Sequence, residues 1–380
     1  MQHIKFAQPL ITEEDKLAVL EVLGQARLTD GLQCELFEQE FAAFVGGGHA
    51  VAVSSCWAAL HLSYLALGIG PGHEVICPAM SHVATAHAIE AVGAKPVFVD
   101  CDWRTGNIDA ERIQPYLTPR TKAISVVHFA GIPCRLDGLF RLSSETQCEL
   151  VLDCALALGA TYASRSVGLC YGTSCYSFYP AKHITTGEGG MIAVWQPEEA
   201  RRLRQLRGFG VIHRQNAHYD VTRLGYNYRM NEMSAVLGRT QLQRFSLEQR
   251  VQNKAALSDA LRDLEQRGDL YMLTFEEDEE NPVAYRDACY CTVVLLQGRW
   301  AQRRNELRGR LHERGIETSI YYPHPIPRLQ YYQQKYGVFH VEEFPNATAI
   351  ADCSIAFPIG PHLNEEDMVY MAESLIMATR

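Results

Sequence analysis

Five short apolar runs punctuate the first half of the chain: "AVAV" (50–53), "EVICPA" (74–79), "KPVFVD" (95–100), "AISVVHF" (123–129) and "ELVLDCA" (149–155). Helical patterns such as "AALHLSYLAL" and "ATAHAIEAV" stand between them. Strands and helices that alternate in this way close through right-handed crossovers, which gives a mostly parallel sheet covered by helices on both faces. The predicted fold class is therefore α/β. Ligands in such a sheet bind beyond the carboxyl ends of the strands, so functional residues are expected to follow strands.

Two amphipathic helices precede the first strand, "TEEDKLAVLEVL" with Thr12 as cap and "CELFEQEFAAFV". The rhythm changes after "NEMSAVLGRTQLQRF", where a charged helical segment (246–266) leads into "YMLTF", "CTVVLL", "RNELRGRLHERG" and "TSIYY". At 380 residues the chain exceeds what one core usually serves. A large α/β domain over 1–245 and a small C-terminal α+β domain over 246–380 are expected.

Composition removes several function classes. Thirty-five basic residues against 44 acidic ones give a net charge of −9 with no long block of one sign, which disfavours nucleic-acid binding. The basic cluster Arg201 to Arg207, "RRLRQLR", reads as a solvated helix face. The N-terminus has no cationic segment leading into an apolar one, and no apolar run reaches membrane-spanning length, so a soluble, cytoplasmic protein is expected.

Twelve cysteines are scattered at irregular spacings, which reads as reduced thiols. In a strand, Cys289 and Cys291 would face one side, and no C-x-x-C pair accompanies them, so buried thiols rather than a metal site are expected. The spaced glycines of "GIGPGHE" (68–74) follow a helix and precede a strand, the reverse of a nucleotide fingerprint, and read as a turn.

Two residues then carry the argument. Asp153 closes the apolar strand "ELVLDCA" at its ligand end, where a carboxylate is costly unless a cap or a positive group meets it. Lys182 lies in "SFYPAKHITTGEGGM", on a loop between two apolar runs, with Ser177 just before it. A partly buried lysine of lowered pKa suits Schiff-base chemistry. Pyridoxal 5′-phosphate requires such a lysine, a carboxylate for its ring nitrogen, and a cradle of amides and hydroxyls for its phosphate.

Seven ordered motifs extend this pattern: "LTDG" (28–31), "SSCWAALHL" (54–62), "ALGIGPGHEVICPAMSHVATAHAIEAVGAKPVFVD" (66–100), "DCALALGA" (153–160), "SFYPAKHITTGEGGM", "YNYRMNEMSAVLG" (226–238) and "YYPHPIP" (321–327). On these the chain resembles the DegT/DnrJ/EryC1/StrS family of pyridoxal-phosphate-dependent sugar aminotransferases, over almost its whole length. The resemblance implies a fold-type-I aminotransferase whose large domain binds the cofactor. It places the Schiff-base lysine at Lys182 and the partner of the ring nitrogen at Asp153. Phosphate contacts fall on Ser55, Cys56 and Trp57 at a helix start, on Ser177, and on Asn227 of a partner subunit, which implies a homodimer with shared sites.

Some positions depart from the family pattern. Cys56 and Trp57 stand where Gly-Thr is usual, so a hydroxyl contact is lost, and Trp57 either joins the cradle or packs. His82 stands where an aromatic ring stacks on the cofactor, as imidazole can also do, or else is structural. Leu156 replaces a Gln or His that touches the ring hydroxyl. Arg229 either binds an acidic substrate group or braces the dimer. Thr29, Glu188 and His324 are candidates for the sugar site, with turn or capping chemistry as the alternative.

By this resemblance the substrates are glutamate and a nucleotide-linked keto-deoxyhexose, aminated at C3 or C4, in amino-sugar biosynthesis for a surface polysaccharide or a glycosylated metabolite. Two alternatives stand beside it. A dehydratase of the same family would carry histidine in place of the lysine, and "KHITTGEGG" keeps Lys182 at the family position. A non-catalytic cofactor-binding regulator would not need the Lys182 and Asp153 pair.

Overall fold

The computed structural model describes residues 3–169, 172–215, 218–275 and 283–379. A seven-stranded sheet forms the centre. Its strands are β1 (His49–Val53), β2 (Glu74–Pro78), β3 (Lys95–Val99), β4 (Thr121–Val127) and β5 (Glu149–Asp153). After a small hairpin of β6 (Thr161–Tyr162) and β7 (Arg165–Ser166), β8 (Thr173–Ser177) and β9 (Gly190–Val194) complete it. The spatial order is β1-β9-β8-β5-β4-β2-β3.

β3, β2, β4, β5 and β8 pair in parallel, while β9 runs antiparallel to both β8 and β1. The mostly parallel α/β sheet expected from the alternating runs is thus present. β8 and β9 form a hairpin, so the segment joining them crosses the same end of the sheet at which β5 stops.

Thr12 caps α1 (Glu13–Leu23) through a capping box with Asp15. α2 (Leu32–Phe44) has no side chain of its own at its start. Glu232 serves instead, its carboxylate accepting from the amides of Gly31, Gln33 and Cys34. α3 (Cys56–Ala66) follows β1, and α4 (Val83–Ala91) follows β2. The two faces of the sheet are covered separately: Phe37, Phe41, Ile124, Leu152 and Tyr176 belong to one buried core, Leu60, Leu62, Val75, Val151 and Ile192 to the other.

Towards the C-terminus, strands Leu270–Met272, Cys291–Leu296 and Ser354–Pro358 form an antiparallel sheet packed on helices Glu248–Gln266 and Glu365–Ala378. Ile4 adds to this third core, bridging to Ile316.

Two expectations are corrected. Residues Arg201 to Arg207 do lie on a helix, but not all face water. Arg204 and Arg207 reach Glu38 at 2.8 and 2.6 Å, and Arg207 also reaches Asp30 at 3.2 Å. Helical spacing predicts the face and not what packs on it, and here a buried carboxylate on α2 requires cations. Cys289 and Cys291 do not share a strand face. Cys289 precedes the strand with φ of 50° and packs into a different core from Cys291. Both are buried, and the eleven described cysteines are free; Cys170 lies outside the described residues. Among the described residues no helix is long and apolar enough to cross a membrane, and no group of His, Cys, Asp and Glu could hold a metal ion.

Candidate active site

Parallel strands that stop together present the loops after them to one space. Asp153 is the last residue of β5, Ser55 follows β1, His82 follows β2, Ser177 ends β8, and Lys182 lies on the segment from β8 to β9.

Asp153 is 6% exposed. Its Oδ1 accepts from the amide of Ala155 at 3.1 Å and its Oδ2 from Thr85 Oγ1 at 3.0 Å. Burial pushes its pKa up, and these two donors oppose that rise, followed by the charges of Lys182 and His82. Lys182 shows the complementary shift. Burial lowers its pKa, against the opposing pull of Cys56, Asp153 and Cys291. Its backbone amide donates to Tyr179 at 2.8 Å, and its Nζ stands 5.3 Å from the ring centre of Tyr290.

The helix start expected to cradle a phosphate is present. Ser55 caps α3, its Oγ accepting from Ala58 at 3.1 Å. The amides of Cys56 and Trp57, first in the helix, have no intrahelical acceptor and are oriented for an anion. Gly190, opposite Ser177 in the hairpin, lies against this turn: a Cβ there would meet Ser55 carbonyl atoms at 2.6 Å and Cys56 N at 2.7 Å.

The indole of Trp57 packs, stacking on His61 at 5.1 Å and meeting Tyr228 edge-on at 6.3 Å. Of its two readings, the side chain therefore takes packing. His82 has a double role, for its Nδ1 caps α4 by accepting from Ala84 at 3.2 Å while its exposed ring meets Tyr322 at 5.6 Å. Leu156 is buried in the main core and brings no polar group.

Asn227 is exposed on a segment clamped on both sides. Tyr226 and Tyr228 donate to Leu206 and Arg207, and Ser54 donates to Tyr228. Arg229 stands 5.2 Å over the ring of Phe209, and its Nε is buried without a partner among the described residues. Thr29 bridges to Asn231, the carbonyl of Glu188 accepts from Thr186, and His324 Nδ1 accepts from Arg328 at 3.1 Å. Among the described residues none of these three makes a hydrogen bond or ring contact with Lys182 or Asp153.

Sequence reasoning missed Thr85, Tyr290, Tyr321 and Tyr322. The hydroxyls of Tyr290 and Tyr321 are 2.8 Å apart, so the tyrosine bearing on Lys182 is itself held. The doubled tyrosine of "YYPHPIP" was the available signal. Cavity size is a poor guide. A cavity of 1110 Å³ lies beside Trp195 and Phe245, whereas a smaller one of 450 Å³ includes Lys182.

The donor set fits pyridoxal phosphate: a lysine of lowered pKa, a buried carboxylate, and a helix start that only glycine can approach. Comparison with known proteins agrees. A sequence model of the DegT/DnrJ/EryC1/StrS aminotransferase family matches residues 9–376. The chain is 33% identical to the spore coat polysaccharide biosynthesis protein SpsC of Bacillus subtilis, covering 98% of this chain and 96% of that protein. It is 34% identical to the GDP-perosamine synthase of Escherichia coli O157:H7, covering 99% and 98%.

Among solved structures it is similar to S. venezuelae DesV in complex with a ketimine intermediate, with a TM-score of 0.87, 32% identity, and coverage of 97% and 95%. Helicobacter pylori PseC, an aminotransferase involved in the biosynthesis of pseudoaminic acid, gives 0.89, 26% identity, and coverage of 99% of both chains. By the match over nearly its whole length, the chain belongs to the DegT/DnrJ/EryC1/StrS aminotransferase family and is a pyridoxal-phosphate-dependent sugar aminotransferase.

Proposed function

We propose that the enzyme moves the amino group of glutamate to a keto group, at C3 or C4, of a deoxyhexose carried on a nucleoside diphosphate. The observation that carries this reading is the meeting of Lys182 and Asp153 at the strand ends, each shifting the other's ionisation. The names of the B. subtilis and E. coli relatives support a sugar substrate, and production of amino sugars for a surface polysaccharide or a glycosylated metabolite.

Pyridoxal phosphate, when bound, supplies the aldehyde carbon that carries the amino group and a ring that takes up the electron pair of the broken C–H bond. Asp153 would hold a proton on the ring nitrogen, which its own buried charge favours. Lys182 Nζ, kept basic yet neutral more often by burial, would take the proton from the donor's α-carbon and deliver it to the cofactor's aldehyde carbon, on the other side of the nitrogen that joins the two. The amides of Cys56 and Trp57, with the hydroxyls of Ser55 and Ser177, would bind the phosphate. His82 would stack on the ring. Thr29, Glu188 and His324 belong to the rim of the sugar site.

The division of labour follows the domains: residues 1–245 hold the cofactor, and residues 246–380 close over it through Tyr290 and Tyr322. Asn227 reaches the phosphate of a second copy's cofactor and Arg229 braces that contact, which makes the enzyme a homodimer. Leu17, Leu20, Leu32 and Leu224 each expose more than half of their surface, apolar area that a second copy would cover. Free thiols throughout the described chain suit the cytoplasm.

The test is a two-stage reaction. Glutamate alone should convert the bound cofactor to its amine form, and a nucleotide-linked keto-deoxyhexose should reverse this with an amino sugar as product, identified by mass and NMR. Conversion by glutamate without turnover of any 3-keto or 4-keto nucleotide sugar would remove the substrate assignment.

A further inference from the structure

The carboxylate of Asp153 is the end of a chain of three side chains. Thr85 Oγ1 lies 3.0 Å from Asp153 Oδ2, and Ser81 Oγ lies 2.8 Å from Thr85 Oγ1. All three residues are buried: Thr85 is 0% exposed, Ser81 2% and Asp153 6%. An ionised carboxylate only accepts, so the Thr85 hydroxyl must donate to it. That hydroxyl has one proton, so Ser81 in turn donates to Thr85. The direction of the whole chain is fixed by the charge at its end.

The topology explains why this pairing exists. Ser81 and Thr85 are four residues apart around the start of α4, which places them on one side of that turn. α4 follows β2, and β4 lies between β2 and β5 in the sheet, so the hydrogen bond from Thr85 spans the end of β4 to reach β5. The other carboxylate oxygen is held by the Ala155 amide. Each oxygen thus has one fixed donor and one side left for a ligand.

We infer that Ser81 and Thr85 are positioning residues that keep Asp153 ionised and aimed at the cofactor's ring nitrogen. A buried carboxylate with a single amide donor would hold a proton more readily and share less charge with the ring. The second donor, polarised by a third, opposes this. The inference rests on the reading of Asp153 as the partner of that nitrogen.

The test uses holoenzyme reconstituted with cofactor labelled with ¹⁵N in its ring and reads the ¹⁵N chemical shift, which separates the protonated from the neutral pyridine. Thr85→Val keeps the shape and removes the hydroxyl. It should move the resonance towards the neutral position and slow the single-turnover reaction with glutamate by about tenfold to a hundredfold, the range for losing a hydrogen bond to a charged group. Thr85→Ser should restore both. Ser81→Ala should move both in the same direction by less, and serves if the valine variant does not fold. Asp153→Asn is the reference and should give the neutral position. A wild-type ¹⁵N shift in Thr85→Val and Ser81→Ala, with Asp153→Asn displaced, overturns the relay alone. A wild-type shift in Asp153→Asn overturns the reading of Asp153 and the relay with it.

Discussion

Gly190 and Ser55 are packed backbone to backbone: a Cβ on Gly190 would stand 2.6 Å from the carbonyl carbon and oxygen of Ser55. The conflict is with main-chain atoms that cannot rotate away, so the α3 start would have to move. Because that start is the proposed phosphate cradle, the smallest substitution becomes a probe of the site. Gly190→Ala should cost about 1–3 kcal/mol of stability, as overpacking does, and should weaken cofactor binding at least tenfold, about 1.4 kcal/mol. Fluorescence titration of apoenzyme with pyridoxal phosphate checks this, and an unchanged affinity would place the phosphate elsewhere.

Asp15 predicts an acid limb to stability. Burial alone would raise its pKa, but hydrogen bonds from Arg244, Thr240 and the Thr12 amide hold it down to about 2, against 3.8 for the free group. A depressed carboxylate contributes stability that is fully present above the unfolded value and is lost as pH falls through the folded one. The window therefore runs from about pH 4 down to about pH 2. Asp15→Asn should lower the melting temperature at pH 7 and flatten its dependence on pH within that window. Parallel melting curves for the two proteins between pH 5 and the acid limit would show Asp15 to be a bystander.

Asn227 tests the shared site. Lys182→Ala alone should be inactive. Asn227→Asp should be severely impaired, because a carboxylate against the phosphate repels it. If the site is shared, a mixed dimer of the two would have one site with both lesions and one with neither. Co-refolding should restore up to about half of wild-type activity per mixed dimer, one intact site of two. No recovery in mixed dimers verified by mass would mean that Asn227 serves its own chain's site or touches no phosphate.

What the sequence disclosed and what it hid divide along physical lines. Asp153 and Lys182 were legible because strand ends and the loops between strands are local features, and an α/β sheet fixes where they lead. Thr85 was not, because its contact is made 68 residues away across an intervening strand. Arg207 was misplaced for the same reason: its partner Glu38 is 169 residues distant, and helical periodicity carries no information about it. The Cys289 error was of another kind. An alternating pattern reads as a strand, but a left-handed φ at Cys289 keeps that residue out of the strand that begins at Cys291.

Lys182 carries the central claim, and covalent trapping tests it most directly. Holoenzyme reduced with borohydride, digested and mapped by mass spectrometry should carry the reduced pyridoxyl group on the peptide containing Lys182, with fragmentation placing it on that residue. Lys182→Ala treated in the same way should carry none. Label on a different lysine, or no label on wild-type enzyme saturated with pyridoxal phosphate, would contradict the account.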